Sequence, residues 1–277
     1  MTDTVPAPDA GAVVALKAGE LVKSRLAPLP QPLRRRLAWT MAVDTLHALV
    51  AAVGTVVVVS DQPGLHHQLG RAGLGAVEVV PESAPAGMNE ALRLGARRLR
   101  ERGSERVLAC VGDLPALRPA SVAVVLAAVT AYGRAHLPDA SGTGTTMLVA
   151  GPGVDLGPRF QGRSAAAHHS SGSVPLTDER LGTAVPDARR DVDTEVDLVD
   201  AVGLGLGPAT AALLDPAAGR LGTYAAVTTV GSGRAVTTDG VRVDLPDDAL
   251  ADDLRALRPG QRLHAVLAGT AVRSAWL

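Results

Sequence analysis

Short apolar runs rich in β-branched residues alternate with longer amphipathic segments over the first half of the chain. Residues 12–16, 55–59, 77–80 and 107–111 read as strands, and residues 32–53, 64–72 and 87–102 as helices. In the last helix Met88, Leu92, Gly95 and Leu99 fall on one face. This β-α-β-α-β-α order predicts a parallel sheet wrapped by helices, with ligands taken at the carboxyl ends of its strands. Another helix is expected over 119–133, with Pro119 in its first turn.

Beyond that point the pattern changes. Glycine and serine thicken over 139–173, interrupted by a strand-like run at 145–150, so loops here are expected to form the site. A strand is expected to end at Asp191, followed by a capping-box helix start at Thr194-Glu195-Val196-Asp197 and a helix to about Val202. A short helix ends at Leu214 and residues 215–220 read as a linker. Residues 225–230, 234–237, 241–245 and 262–268 then alternate with glycine turns, which predicts a small antiparallel β-barrel. The expected organisation is a disordered terminus at 1–10, a main domain at 11–214, and a small β domain at 221–277.

Composition narrows the function. Of 277 residues 47% are hydrophobic and only 2% aromatic, so the core is packed with Val, Leu and Ala, and base stacking cannot be a major binding mode. The formal net charge of -1 argues against a general polyanion binder. The single cysteine, Cys110, lies in an apolar run and reads as a small buried hydrophobe. Residues 1–10 are acidic and contain proline, unlike a signal peptide, and no apolar stretch approaches a membrane span. The expectation is a soluble, cytoplasmic protein without a membrane or nucleic-acid partner.

The chain has only two lysines, Lys17 and Lys23, six residues apart after the first apolar run. An ammonium is a compact point charge suited to a phosphate oxygen, whereas arginine's planar fork wants a bidentate partner. Lys17-Ala-Gly-Glu-Leu-Val-Lys23-Ser-Arg25 therefore reads as a phosphate-handling loop. Gly112-Asp113-Leu114-Pro115 follows the fourth strand, placing the Asp113 carboxylate where a divalent cation bridging phosphates would sit, although an aspartate there could also cap the next helix. Asp191-Val192-Asp193-Thr194 supplies a further carboxylate pair before a helix, with Asp193 read as a cap or orienting group. Mg²⁺ needs only one or two carboxylates plus substrate phosphates, so Asp113 with Asp191 would suffice.

Gly142-Thr143-Gly144-Thr145 is expected either to offer amides and hydroxyls to an anion or to form a tight turn before a strand. Ser164, ahead of an alanine-rich helical stretch, could be its N-cap. His168 and His169, adjacent and without metal-ligand spacing, read as surface or capping residues. Phosphate binders and metal carboxylates without an obvious nucleophile or base suit nucleotidyl transfer to a phosphate acceptor, whose oxygen is already mostly ionised near neutral pH. What that reaction needs is suppression of repulsion, since two like charges about 4 Å apart cost roughly 4 kcal/mol at an effective dielectric near 20.

Taken in order, Lys17…Lys23-Ser-Arg25-Leu-Ala-Pro28, Gly112-Asp113-Leu-Pro-Ala-Leu117, Gly142-Thr-Gly-Thr145, Ser164…His168 and Asp191-Val-Asp-Thr194 resemble the phosphoenolpyruvate / 2-phospho-L-lactate guanylyltransferases of coenzyme F-420 biosynthesis, over roughly residues 11–214. The resemblance implies a glycosyltransferase-A-like α/β nucleotidyltransferase fold with a mostly parallel sheet. It implies transfer of GMP from GTP to phosphoenolpyruvate, the acceptor favoured over 2-phospho-L-lactate, with Mg²⁺ on Asp113 and Asp191. Lys17, Lys23 and Arg25 carry over to catalysis and the triphosphate, and Thr145 and Ser164 to the acceptor. The family's acceptor glycine follows a phenylalanine, where this chain has Gln161, so Gly162 takes the role one residue late. Asn89, at the start of a helix, is the candidate for reading guanine. A downstream transferase of the same pathway is a further implied partner. The rivals are a sugar-phosphate or molybdopterin nucleotidyltransferase of the same fold and an inactive regulatory paralogue. The C-terminal part falls outside the resemblance and looks like a cold-shock-type barrel. Its aromatics are only Tyr224 and Trp276 and its arginines are offset by acidic residues, so a structural or protein-contact role is expected.

Overall fold

The computed structural model describes residues 7–17, 26, 31–82, 86–214, 223–231, 233–250 and 257–276. Lys23, Arg25 and the linker expected at 215–220 lie outside the described residues. The first half runs β1 (Ala7–Ala15), α1 (Gln31–Ala52), β2 (Val53–Ser60), α2 (Leu65–Arg71), β3 (Glu78–Pro81), α3 (Met88–Glu101), β4 (Arg106–Cys110) and α4 (Pro119–Tyr132). Then come β5 (Arg134–Pro138), β6 (Thr145–Ala150), α5 (Ser164–Ser170), β7 (Val174–Pro175), α6 (Asp178–Leu181), α7 (Pro186–Arg189), α8 (Glu195–Leu204) and α9 (Pro208–Leu214). The seven-stranded sheet has the order β3-β2-β1-β4-β6-β5-β7. β1 to β4 pair in parallel, whereas β6 runs antiparallel to both β4 and β5.

The period-two side-chain alternation of a strand explains both faces of this sheet. Ala12, Val14 and Leu16 pack with Leu46 and Leu49 of α1, Leu65 and Leu69 of α2, and Val125 and Val129 of α4. Val13 and Ala15 face the other way, against Leu92, Ala96 and Leu99 of α3. α3 comes as near the sheet as glycine permits, because a Cβ on Gly95 would stand 2.2 Å from Val13 Cγ2. Gly95→Ala would push the helix off that face.

The structure departs from the sequence expectation in several elements. β1 begins at Ala7, so residues 7–10, expected to belong to a disordered terminus, form part of the sheet, and Asp9 is ion-paired with Arg106 at 2.6 Å. The segment before Asp191 is not a strand: Pro186 opens the helical turn α7, and Asp187 accepts from Arg118 N at 2.9 Å and Ser121 Oγ at 2.8 Å, which fixes that turn against the start of α4. β5 has no counterpart in the sequence expectation, because Arg134-Ala-His-Leu-Pro is short and carries little apolar alternation, yet it pairs along β6. The capping box at Thr194 and Asp197 is formed, with Asp197 Oδ2 accepting from Thr194 N at 2.8 Å, and α8 extends two residues past the expected end.

The C-terminal strands β8 (Thr223–Gly231), β9 (Arg234–Thr237), β10 (Arg242–Asp244), β11 (Arg262–Ala268) and β12 (Ala271–Trp276) close into a barrel of order β10-β12-β11-β8-β9. β12 was not anticipated, and its pairing with β10 is parallel in an otherwise antiparallel barrel. Closure removes the exposed strand edges that so small a sheet would otherwise present. Leu263, Ala265 and Leu267 fill the barrel, while Val266 between them packs outward with Leu37 and Met41 of α1, Leu198 of α8, Leu213 of α9 and Val192. Among the described residues no single helix is long and apolar enough to cross a membrane.

Candidate active site

β4 runs parallel to β1 while β6 runs back antiparallel, so the end of β4 and the beginning of β6 share one edge of the sheet. Cys110 pairs with Met147, and Val111 N donates to Thr146 O at 3.0 Å. Asp113 leaves that edge just beyond β4, and Thr145 enters it. The loop carrying Asp191 is attached to the same place, because Val192 N donates to Asp113 O at 3.1 Å. Val192 itself is fully buried in the cluster of α1, α8 and α9, which anchors the loop from behind.

Asp191 feels this convergence. Burial first, and then the negative charges of Asp113, Asp193 and Asp139, push its carboxyl up to about 7. A divalent cation would offset both penalties. Among the described residues no group of three or more His, Cys, Asp or Glu side chains is arranged to hold a metal alone. Two carboxylates with substrate phosphates completing the shell is a set that fits Mg²⁺.

The Gly-Thr loop does not offer its amides outward. Asp139 Oδ1 accepts from Thr143 N and Oδ2 from Gly144 N, both at 2.9 Å, and Asp139 O accepts from Gly142 N at 3.0 Å. The segment is a tight turn closed by an aspartate, so of the two expectations for it the turn holds and the amides of Thr143 and Gly144 are spent inside it. Thr143 O accepts from Ala165 N at 3.1 Å, which ties the turn to the start of α5. Ser164 is buried as the first residue of α5, not its N-cap, which is Arg163.

Thr145 meets a residue that sequence reasoning set aside. His168 is fully buried, not a surface residue, and its Nδ1 lies 2.9 Å from Thr145 Oγ1 while its Nε2 accepts from Arg159 N at 2.9 Å. The available signal was the helical spacing of Ser164 and His168, four apart and so on one face of α5. Next to Arg159, Asn89 closes a two-bond clamp on Phe160: its Oδ1 accepts from Phe160 N at 2.7 Å and its Nδ2 donates to Phe160 O at 3.1 Å. The amide of Asn89 is thus given to the loop that carries Phe160. Beyond the clamp Gln161 has φ 88, the left-handed region that favours glycine, and Gly162 follows at φ 58. The glutamine occupies a backbone conformation in which a glycine would be unstrained.

Lys17, two residues beyond the end of β1 at the same sheet edge, is buried, and its ammonium is ion-paired with Glu82, whose other oxygen accepts from Ala86 N at 3.0 Å. Glu82 is a partner that no local pattern announces. Arg190, beside the Asp191 loop, is committed to Asp197 and Asp200 at 2.9 and 3.0 Å. Asp113, Asp191, Thr145, Ser164 and the 159–162 loop are therefore brought together, with Lys17 just beyond the end of the adjoining strand. Asn89 serves the loop from behind.

Residues 30–173 match the family model described as MobA-like NTP transferase domain. The phosphoenolpyruvate guanylyltransferase of Salinispora arenicola is 46% identical over 211 residues, covering 74% of this chain and 94% of that protein. That of Streptomyces coelicolor is 45% identical over 205 residues, covering 73% and 93%. A solved structure from Desulfovibrio desulfuricans, described as a nucleotide-diphospho-sugar transferase, matches with a TM-score of 0.51 at 17% identity, over 69% of this chain and 85% of the other. The fold is that of the nucleotidyltransferases. The barrel at 223–276 lies beyond the span of the family model.

Proposed function

The chain belongs to the phosphoenolpyruvate guanylyltransferase family of nucleotidyltransferases, and on that premise we propose that it transfers GMP from GTP to phosphoenolpyruvate, giving enolpyruvyl-diphospho-guanosine and pyrophosphate in coenzyme F-420 biosynthesis. The observation that carries this reading is the attachment of the Asp191 loop to Asp113 at the sheet edge where Thr145 also enters. A cation-binding carboxylate pair and an acceptor-binding hydroxyl then serve one reacting centre.

Mg²⁺ held by Asp113 and Asp191 would neutralise charge between the acceptor and the triphosphate. Thr145, Ser164 and the loop through Gln161 and Gly162 hold the acceptor. Lys17, with Lys23 and Arg25, takes the triphosphate, and Glu82 orients the Lys17 ammonium. An oxygen of the acceptor phosphate attacks the α-phosphorus in line. The new P–O bond forms as the bond to the bridging β-phosphate oxygen breaks, and that electron pair leaves with pyrophosphate. No base is required, because the attacking oxygen is already ionised near neutral pH. We assign residues 7–214 to the transferase domain, since β1 starts at Ala7, and 221–277 to a small β domain with a structural role. Its substrates being free metabolites, the reaction belongs in the cytoplasm.

The test is pyrophosphate release by the purified protein with Mg²⁺, each nucleoside triphosphate and each candidate acid or sugar phosphate, with the diphosphate linkage followed by phosphorus NMR. Turnover with GTP and phosphoenolpyruvate is expected. Turnover with 2-phospho-L-lactate alone would reassign the acceptor, and a sugar phosphate as sole acceptor would move the chain to another activity of the same fold. No GTP-dependent pyrophosphate with any acid would end the transferase reading.

A further inference from the structure

His168 touches both elements assigned to the acceptor, and the direction of its hydrogen bonds is fixed by chemistry. A backbone N–H can only donate, so the bond from Arg159 N to His168 Nε2 leaves that nitrogen without a proton. The neutral ring then carries its proton on Nδ1. Nδ1 lies 2.9 Å from Thr145 Oγ1, so here the imidazole donates and the hydroxyl accepts.

The alternatives are closed by the surroundings. A protonated ring would set an Nε2–H against the Arg159 N–H. Burial, followed by the charges of His136, Arg134 and Arg159, lowers the pKa of His168 to about 4, so the ring is neutral near pH 7. A flipped ring would lose both bonds. It is held against flipping by the Phe160 ring, edge-on at a centroid distance of 5.0 Å, and by His136 at 5.6 Å, which is itself bonded to Ser173 Oγ at 3.1 Å.

With one lone pair of Thr145 Oγ1 taken by an N–H, the hydroxyl proton must be given to something else. We propose that His168 is a positioning residue that makes Thr145 a hydrogen-bond donor toward an anionic acceptor, while its other nitrogen sets the Arg159 amide and hence the loop that leads to Gln161. A hydroxyl turned the other way would present a lone pair to the carboxylate or phosphate and repel it. A hydroxyl bond to an anion is about twice as strong as a neutral one, so fixing its direction in advance favours binding. Specificity for an anionic group at this position follows from the same polarity. The identity of the acceptor rests on the guanylyltransferase reading, whereas the direction of the Thr145 bond does not.

The test separates the two nitrogens. His168→Gln keeps an acceptor toward Arg159 N but no donor near Thr145, and His168→Asn keeps a donor close to the Nδ1 position. His168→Gln is expected to raise the KM for the acceptor acid by about tenfold or more, with the KM for GTP unchanged, and His168→Asn, which keeps the donor but gives up the bond to Arg159 N, to raise it by a clearly smaller factor. Because His168 acts through Thr145, Thr145→Val combined with His168→Gln should raise that KM no further than Thr145→Val alone. Additive losses, equal losses in the two His168 variants, or a parallel rise in the KM for GTP would overturn the proposal. A readout free of turnover and of variant folding is the long-range proton–nitrogen spectrum of the unmodified chain, which should give the Nδ1–H tautomer of His168 from about pH 5.5 to 8. An Nε2–H or doubly protonated ring would sink the assignment even in an active enzyme. The Nδ1–H tautomer in a chain that transfers GMP to no acid would support the bond direction and reject the guanylyltransferase reading.

Discussion

On the proposed acceptor side of the site the protein pairs most of its own polar groups: Thr145, His168, Arg159 N, Asn89 and the Phe160 backbone form a run of hydrogen bonds that leaves the Thr145 hydroxyl proton to be given. On the carboxylate side Asp113, Asp191, Asp193 and Asp139 gather like charges, and Asp191 resists ionisation as a result. The first arrangement is preorganised, because its geometry is paid for in folding. The second gains most when a cation arrives. A guanylyltransferase uses both, since the small acceptor needs exact placement and the triphosphate needs charge cancelled.

The largest expected effect strikes the carboxylate side. Asp113→Asn should lower GMP transfer by at least about a hundredfold. Full activity in this variant would dismiss the metal assignment, and a large fall in melting temperature would mean that Asp113 is structural.

Acidification should move the two sides in opposite directions. Burial lowers His136 and His168 to about 4 from an unfolded value near 6.5, so in that interval the unfolded chain binds more protons and stability falls as the pH drops. The contribution is fully present above 6.5, and roughly 2 kcal/mol per ring is expected to be lost by pH 5. Asp191 behaves in reverse: raised to about 7, it binds its proton in the folded state first, so it adds stability as the pH falls below 7. Urea unfolding at pH 7.5 and 5 should therefore give a shallower acid loss for His168→Asn and a steeper one for Asp191→Asn than for the parent. Equal slopes in all three would remove the distinction between the sides.

Smaller effects probe the loop alone. Asn89→Ala should cost about 1 kcal/mol of stability by releasing Phe160 N and O, and should raise the acceptor KM without touching that for GTP. A selective change in GTP binding would return Asn89 to the nucleotide. Gln161→Gly, measured by thermal melting, should stabilise the chain by roughly 0.5–1 kcal/mol, since a non-glycine residue in the left-handed region is strained. No gain would mean that the glutamine side chain offsets its own strain.

The elements of the alternating half were readable because valine-rich runs and the one-faced pattern of α3 are local signals. Asp113 was readable for the same reason, standing right after such a run. β5 and α7 were not: one lacks alternation, and the other depends on Asp187 reaching the start of α4. His168 was misread because adjacent histidines look alike in a sequence, while in the fold His168 is buried and His169 exposed.

The sequence by itself determined the order of strands and helices, the type of fold, and which charged residues end up beyond strand ends, because side-chain periodicity and chain direction decide these. Tertiary structure alone decided who answers whom. Glu82 meets Lys17 across 65 residues, Asn89 meets Phe160 across 71, and His168 meets Thr145 across 23. Such pairings carry no period and no local propensity. They exist only once the sheet has set its register and burial has made each unpaired polar group too costly to leave alone.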